Sequence, residues 1–404
     1  MTAKTIQDGI TMPLQPHVKA GSEWVTVDQG TNPYPYVIPS IFTPGNYLGE
    51  GTIWQRDVSD MPLADNSAEM AAWMWKNTPD PWGLDGDGKK AGWGGKTSLN
   101  TSAWGTRPIA LYVVDSRHPA CPRVNWQTYG GFPAMNPDIR KIYERDIPMP
   151  PYALPAAQGD RGMAIYDIGT GIMREFFFVS KGADGVWRGE MGFSVNTPGL
   201  KNLARDNYAT ALQFGSSAVA RMHNNLGFIG INEVRAGEIN HALAFTFGAI
   251  AKGNPPSYPA SGTDGKAPAT EKGSSPVHGQ WARVRADVDP MHNPKTGKPF
   301  NPLTRLLIRA AQRYGLVGTD TNAFVHAFNA EDGQTEKALY GVDPWSNEGD
   351  IRQLIAMQEK ISPADALDVS DFPWDMTEWA PRDWGRPDTD FTPRSTFDNA
   401  WQRE

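Results

Sequence analysis

Three apolar, strand-prone runs follow one another between Arg161 and Val195, separated by Gly169-Thr-Gly171 and by Ala183-Asp-Gly185. Asp-Gly between two such runs is a strong short-range hairpin signal, because the tight turn needs a positive φ that glycine adopts without strain. The spacing predicts strands over Arg161–Ile168, Ile172–Ser180 and Gly185–Val195, with another over Arg107–Asp115. The 41 glycines and 34 prolines work against long helices in most of the chain. The fold class expected is mainly β: a β-sandwich, jelly-roll or lectin-like, with one or two short helices and extended terminal arms.

The stretch from Ile231 to Asp320 places chemistry-bearing residues beside such a scaffold. A strand is expected over Asn240–Phe247, with His241, Leu243, Phe245 and Phe247 on one face. The other face, including Ala242 and Ala244, is small enough for another layer to approach closely. A Pro/Gly/Ser/Thr-rich loop over 254–275 carries Asp264, and a strand over Trp281–Asp287 carries Trp281, Arg283 and Arg285 on one face. One helix is well specified: Asn301 at the N-cap, Pro302 at the first position, Leu303, Leu306, Leu307, Ala310, Ala311 and Tyr314 at helical spacing, and Gly315 to end it. Shorter helices are expected over Ala64–Lys76 and Glu348–Lys360, and a last core strand over Phe324–Glu331.

Three regions follow from these signals. Residues 1–105 read as a Pro/Trp/Gly-rich arm with loops, 106–335 as the β-sandwich core, and 336–404 as a helix and an extended docking tail holding Trp374, Trp379, Trp384 and Trp401.

Several function classes are disfavoured. With 38 basic against 45 acidic residues and no Lys/Arg run, no nucleic-acid partner is expected. The single cysteine, Cys121, rules out an internal disulfide framework, and the scattered histidines give neither H-x-x-x-H nor H-x-H, so no metal site is expected. Asp85 and Asp87 match part of a calcium loop, but Lys89 stands where a third ligand is wanted, and the segment reads as a turn. Neither a nucleophile elbow nor a phosphate loop occurs, and no cofactor is expected. No apolar run is long enough for a membrane span, and the first residues lack the apolar core of a secretory signal, so synthesis and folding in the cytoplasm are expected.

Two kinds of site remain. For lyase chemistry on an envelope polysaccharide, His241, Asn240, Arg283, Arg285 and Tyr314 supply a base and groups to neutralise a uronate, while Glu175, Glu238 and Asp264 supply carboxylates for glycoside hydrolysis; the catalytic candidates are His241, Asp264, Arg283 and Tyr314. The plainer reading of His241 is a buried ring bonded to a backbone carbonyl or to Asp264. For binding alone, Trp82, Trp93, Trp104, Trp126 and Tyr129 are the candidate glycan-facing rings, whose flat faces cover sugar C–H surface.

The order Ile147-Pro-Met-Pro-Pro-Tyr-Ala153, Tyr166-Asp-Ile-Gly-Thr-Gly171, Glu175-Phe-Phe, Gly237-Glu-Ile-Asn-His-Ala-Leu243, Pro259-Ala-Ser-Gly-Thr-Asp-Gly265, Arg283-x-Arg285 and Tyr314-Gly-x-x-x-x-Asp320 resembles minor tail proteins of actinobacteriophages and related secreted actinobacterial β-sandwich proteins. The resemblance spans roughly residues 147 to 330 and carries over no catalytic residue. It implies a tail-tip virion protein made in the host cytoplasm. Its expected partners are other phage tail proteins and host cell-wall glycans, and it is expected to work as a homo-oligomer, a trimer. The alternative is an envelope-polysaccharide depolymerase, a lyase or glycoside hydrolase, on the same scaffold.

Overall fold

The computed structural model describes residues 34–38, 53–76, 97–102, 108–128, 147–170, 172–196, 218–220, 222, 224–260, 262–322 and 325–386, together with the backbone of four short strands near the amino terminus. Those four strands form two antiparallel hairpins, β1 (Ala3–Gln7) with β2 (Ile10–Leu14) and β3 (His17–Ala20) with β4 (Glu23–Thr26).

The rest of the described residues are mainly β, with two open six-stranded sheets and few helices. Sheet A runs in the order β5 (Val37–Ile38), β7 (Ile109–Val114), β11 (Gly162–Asp167), β12 (Ile172–Lys181), β13 (Trp187–Asn196) and β9 (Trp126–Thr128). Sheet B runs in the order β18 (Thr377–Trp379), β15 (Trp281–Val284), β16 (Leu316–Thr321), β14 (Leu243–Phe247), β17 (Ala327–Asn329) and β6 (Ser98–Asn100). A small pair, β8 (Arg123–Val124) with β10 (Ile147–Pro148), lies beside them.

The hairpin signal is realised: β11, β12 and β13 are consecutive antiparallel neighbours. The jelly-roll style is a different matter, because that architecture is antiparallel throughout. Here β7 runs parallel to β11, β13 to β9, β14 to β16 and β17 to β6. The β14–β16 pairing needs a long crossover, and the well-specified helix supplies it. Period-two alternation cannot report strand direction, so this mixed character was not legible.

Both sheets are covered on two faces. Between them lies a shared apolar layer, with Ile109, Leu111, Val113, Ala164, Tyr166 and Met173 from sheet A meeting Ala244, Trp281 and Val317 from sheet B. The small face anticipated at Ala242 and Ala244 does permit close approach: a Cβ at Gly227 would overlap Ala244 and the Trp54 ring. On the far side of sheet B, Leu243, Phe245, Phe247, Ala282, Val284 and Leu316 pack against helices.

Among the described residues the helices are α1 (Ser67–Lys76), α2 (Ile231–Ala236), α3 (Pro302–Arg313), α4 (Gln334–Tyr340) and α5 (Asp350–Glu359). An isolated helix the length of α3 is marginal in water. Burial of Leu303, Leu306, Leu307 and Ile308 against sheet B, each contributing about 1.5–3 kcal/mol, decides its stability. Gly315, at φ +82, ends it as expected.

Four local features depart from the sequence signals or were not marked by them. Ile231–Ala236 is helix, because Glu233 at its third position accepts the Gly230 N–H at 3.0 Å and Gly237 closes it at φ +70. Strand β14 begins at Leu243, leaving His241 in the preceding turn, and β15 ends at Val284. In β12 the alternation breaks at two bulges, so Phe176 and Val179 are buried while Phe178 turns outward at φ +53. The tail expected to dock elsewhere is built into its own body as far as residue 386: β18 pairs with β15, and Trp374 and Trp379 are core residues.

Candidate functional site

His241 is enclosed on all sides. Its Nδ1 lies 2.8 Å from the Ala242 carbonyl and its Nε2 3.0 Å from Glu233 Oε2, with both side chains fully buried. Burial works against the imidazolium, but the Glu233 carboxylate and the Ala242 carbonyl outweigh it, and the ring's pKa is raised. Because the same Glu233 oxygen accepts the Gly230 N–H, the pair ties the start of α2 to the entry of β14. The plainer reading of this histidine therefore holds for the carbonyl, with Glu233 in the place anticipated for Asp264.

Asp264 lies elsewhere. It accepts the Thr321 hydroxyl, with its two oxygens at 2.6 and 2.7 Å, at the carboxyl end of β16. His241 precedes Leu243, which pairs with Leu316 at the opposite end of the same strands. Arg283 stitches two elements to sheet B: its Nε donates to Glu378 at 2.7 Å on β18, and its Nη1 donates to the Val58 carbonyl at 2.7 Å and to the Ser59 carbonyl. Tyr314 is the C-cap of α3, half-buried against the layer between the sheets. The four residues are not assembled into one constellation. Among the other carboxylates, Glu175 is buried and accepts the Asn225 N–H at 3.1 Å, while Glu238 is exposed.

Trp126, expected among the glycan-facing rings, is a core residue. It stacks on Phe176 with centroids 4.0 Å apart and is only 2 % exposed. The other candidates, Trp82, Trp93, Trp104 and Tyr129, lie outside the described residues, as do Asp85 and Asp87.

The structure does bring together a polar cluster that the sequence only half marked. At the carboxyl ends of β14 and β16, Asp264 and Thr321 are joined by the buried Asp320 and by His278, whose Nδ1 lies 3.0 Å from the Thr263 hydroxyl. Burial pushes His278 down to about 4, with Asp264 and the Asp320 backbone opposing, so the ring is neutral at pH 7. Asp320 Oδ1 accepts the Thr321 N–H at 2.7 Å. Nearby His326 accepts the Gly248 N–H at Nδ1 and faces the Met74 carbonyl with Nε2, each at 3.0 Å, which sets its tautomer.

The outer members, exposed Thr263 and half-buried Asp264, offer a hydroxyl and a carboxylate to solvent from the carboxyl edge of parallel strands, where open sheets bind ligands. Such a pair can hold the hydroxyls of a polar ligand. The signal in the sequence was the Ser261-Gly-Thr-Asp-Gly265 loop; His278, separated from it by 12 residues of loop, carried none. Among the described residues no group of three or more His, Cys, Asp or Glu side chains is placed to hold a metal ion, and no helix is long and apolar enough to cross a membrane. Comparison with family models, with curated proteins and with solved structures found no match to this chain.

Proposed function

We propose that this chain is a minor tail protein of an actinobacteriophage-type particle, present in several copies at the tail tip, where it touches host envelope glycans. The observation that carries the reading is the order of sequence motifs between residues 147 and 330, together with what those residues do. Asp167 caps its turn by accepting from Ser116, Gly169 and Thr170. Glu175 and the His241–Glu233 pair sit inside the fold, and Gly315 adopts the φ that ends α3. Residues used this way hold this fold together, which supports a structural role for the motifs over an active site built from them.

The finer fold reading, a sandwich of two layers, is supported by the apolar face that the two sheets share. For glycan contact the Thr263–Asp264 edge supplies polar groups. Assembly as a trimer makes weak contacts per copy sufficient through multivalency. The depolymerase alternative loses the support it drew from His241, Asp264, Arg283 and Tyr314, whose hydrogen bonds serve separate parts of the fold.

The test is incubation of the purified full-length chain with insoluble actinobacterial wall arabinogalactan. The proposal expects co-sedimentation that strengthens when the chain is multimerised, without release of reducing ends or unsaturated sugars. Release of sugar would establish the depolymerase reading instead, and absence of any retention would remove the glycan contact.

A further inference from the structure

Asp264 is a half-buried carboxylate that meets no cation among the described residues. Its two oxygens share one donor, the Thr321 hydroxyl at 2.6 and 2.7 Å. Other carboxylates at the surface do find a cation: Asp115 pairs with Arg117, Asp375 with Lys295 and Glu378 with Arg283. A carboxylate accepts about four hydrogen bonds and a hydroxyl carries one hydrogen, so most of the capacity of Asp264 is left for what arrives from solvent. The neighbouring acid, Asp320, is buried and accepts the Thr321 N–H at 2.7 Å and the Val219 N–H at 3.4 Å.

The carboxylate is held in place from both sides. Its donor Thr321 lies on β16, paired in register with Phe247 of β14. Just beyond Asp264 the loop is bonded to the chain that follows β14: the Lys266 and Ala267 N–H groups donate to the Ile250 carbonyl at 3.0 and 2.9 Å, and the Lys252 N–H donates to the Ala267 carbonyl at 2.9 Å. Gly265 passes so close to the Ala251 carbonyl that a Cβ would overlap it. Beside Asp264, the exposed Thr263 hydroxyl has one partner among the described residues, His278 Nδ1 at 3.0 Å. With either tautomer of that ring, the hydroxyl keeps a hydrogen or a lone pair for a second partner. Burial keeps His278 neutral at pH 7, so it puts no positive charge behind the pair to draw an anion.

We propose that Thr263 and Asp264 form a subsite for two adjacent hydroxyls of a neutral sugar, and that this subsite disfavours acidic sugars. Adjacent hydroxyls present two hydrogens side by side, which the two carboxylate oxygens accept together as charge-assisted bonds. A uronate brings a like charge to an anion that no cation answers. Both groups are reached from solvent, since Thr263 is exposed and Asp264 only half-buried. The fixed loop lowers the ordering cost of binding. The inference rests on the glycan-contact reading above and names the class of sugar that this edge takes.

The test is a saturation-transfer NMR titration of the full chain at low ionic strength with three soluble probes. They are methyl galactoside, its 3-deoxy analogue, which has no adjacent ring hydroxyls, and methyl galacturonoside, which keeps the ring hydroxyls and adds a carboxylate. The expected result is a saturable response to the galactoside, none to the 3-deoxy analogue and weaker binding of the galacturonoside. Asp264→Asn should bind the galactoside about ten- to a hundred-fold more weakly, the size expected for losing one charge-assisted hydrogen bond. Thr263→Val, at an exposed position, should weaken binding as well. Circular dichroism of each variant separates lost binding from lost fold. No response to the galactoside in the folded wild type, a galacturonoside bound as tightly, an equal response to the 3-deoxy analogue, or wild-type affinity in both folded variants overturns the proposal. Retention on wall arabinogalactan that is unchanged in Asp264→Asn also overturns it and leaves the glycan contact standing. Galactoside binding through Asp264 without any retention on the wall keeps the subsite and removes the wall contact.

Discussion

Replacing His241 by alanine separates a structural histidine from a catalytic one. In the wild type, Glu233 Oε2 receives the Gly230 N–H and faces the ring Nε2, while Oε1 has no partner. His241→Ala leaves that carboxylate in a fully buried position with one backbone donor and an adjacent void. Removing one partner of a buried ionic pair costs about 3–5 kcal/mol, and the lost packing acts in the same direction. At about 2–4 °C per kcal/mol for a domain of 150–250 residues, the thermal midpoint should fall by roughly 5–20 °C. Equilibrium denaturation in urea, followed by tryptophan fluorescence, reads the change directly.

The pH dependence supplies a second readout. The folded pKa of His241 is raised above its unfolded value, so its contribution is complete below about pH 6.5 and is lost as pH rises through the folded value. The difference between wild type and His241→Ala should therefore shrink toward alkaline pH. A variant within about 0.5 kcal/mol of wild type at pH 6 would refute the assignment, since that is the range of inert surface substitutions.

Further outcomes follow from the same structure. Asp332 is fully buried, and burial raises its carboxyl to about 7, although the Gln334 and Ala157 N–H groups favour its charged form. Its folded pKa exceeds its unfolded one, so its contribution should be complete below about pH 4 and decline up to about pH 7; Asp332→Asn should flatten that slope in denaturation series from pH 4 to 8. Gly318→Ala would drive a methyl into the Phe247 ring and should destabilise by about 1–3 kcal/mol, with partial rescue by Phe247→Leu in a double-mutant cycle. Trp126→Ala should cost about 3–5 kcal/mol in urea denaturation and leave the glycan affinity of the remaining folded protein unchanged; loss of glycan retention without loss of stability would put this ring back at a surface.

Legibility in the sequence tracked how local each determinant is. Helix α3 was readable to within a few residues because cap, proline, periodicity and terminating glycine all lie in one short segment. The β11–β13 meander was readable for the same reason, its turns being coded by adjacent glycines. Strand direction and sheet membership were not readable. The pairing of β14 with β16 joins residues some 70 positions apart, and nothing in either run states which edge it meets.

The site was harder still. His241 and Asp264 share residue types with an active site, but whether they converge depends on which end of a strand each occupies. Thr263 and His278 meet only because the intervening loop folds back. The tail tryptophans read as surface aromatics because the partner that covers Trp379, strand β15, lies about 100 residues earlier.

The most direct test of the particle reading is the location of the protein. Antibody raised against the purified chain, applied to intact particles released by cells carrying this gene, should label the tail tip in electron micrographs, and mass spectrometry of the same particles should recover its peptides in multiple copies. Finding the chain only in the soluble fraction of the cells, with unlabelled particles, would contradict the account.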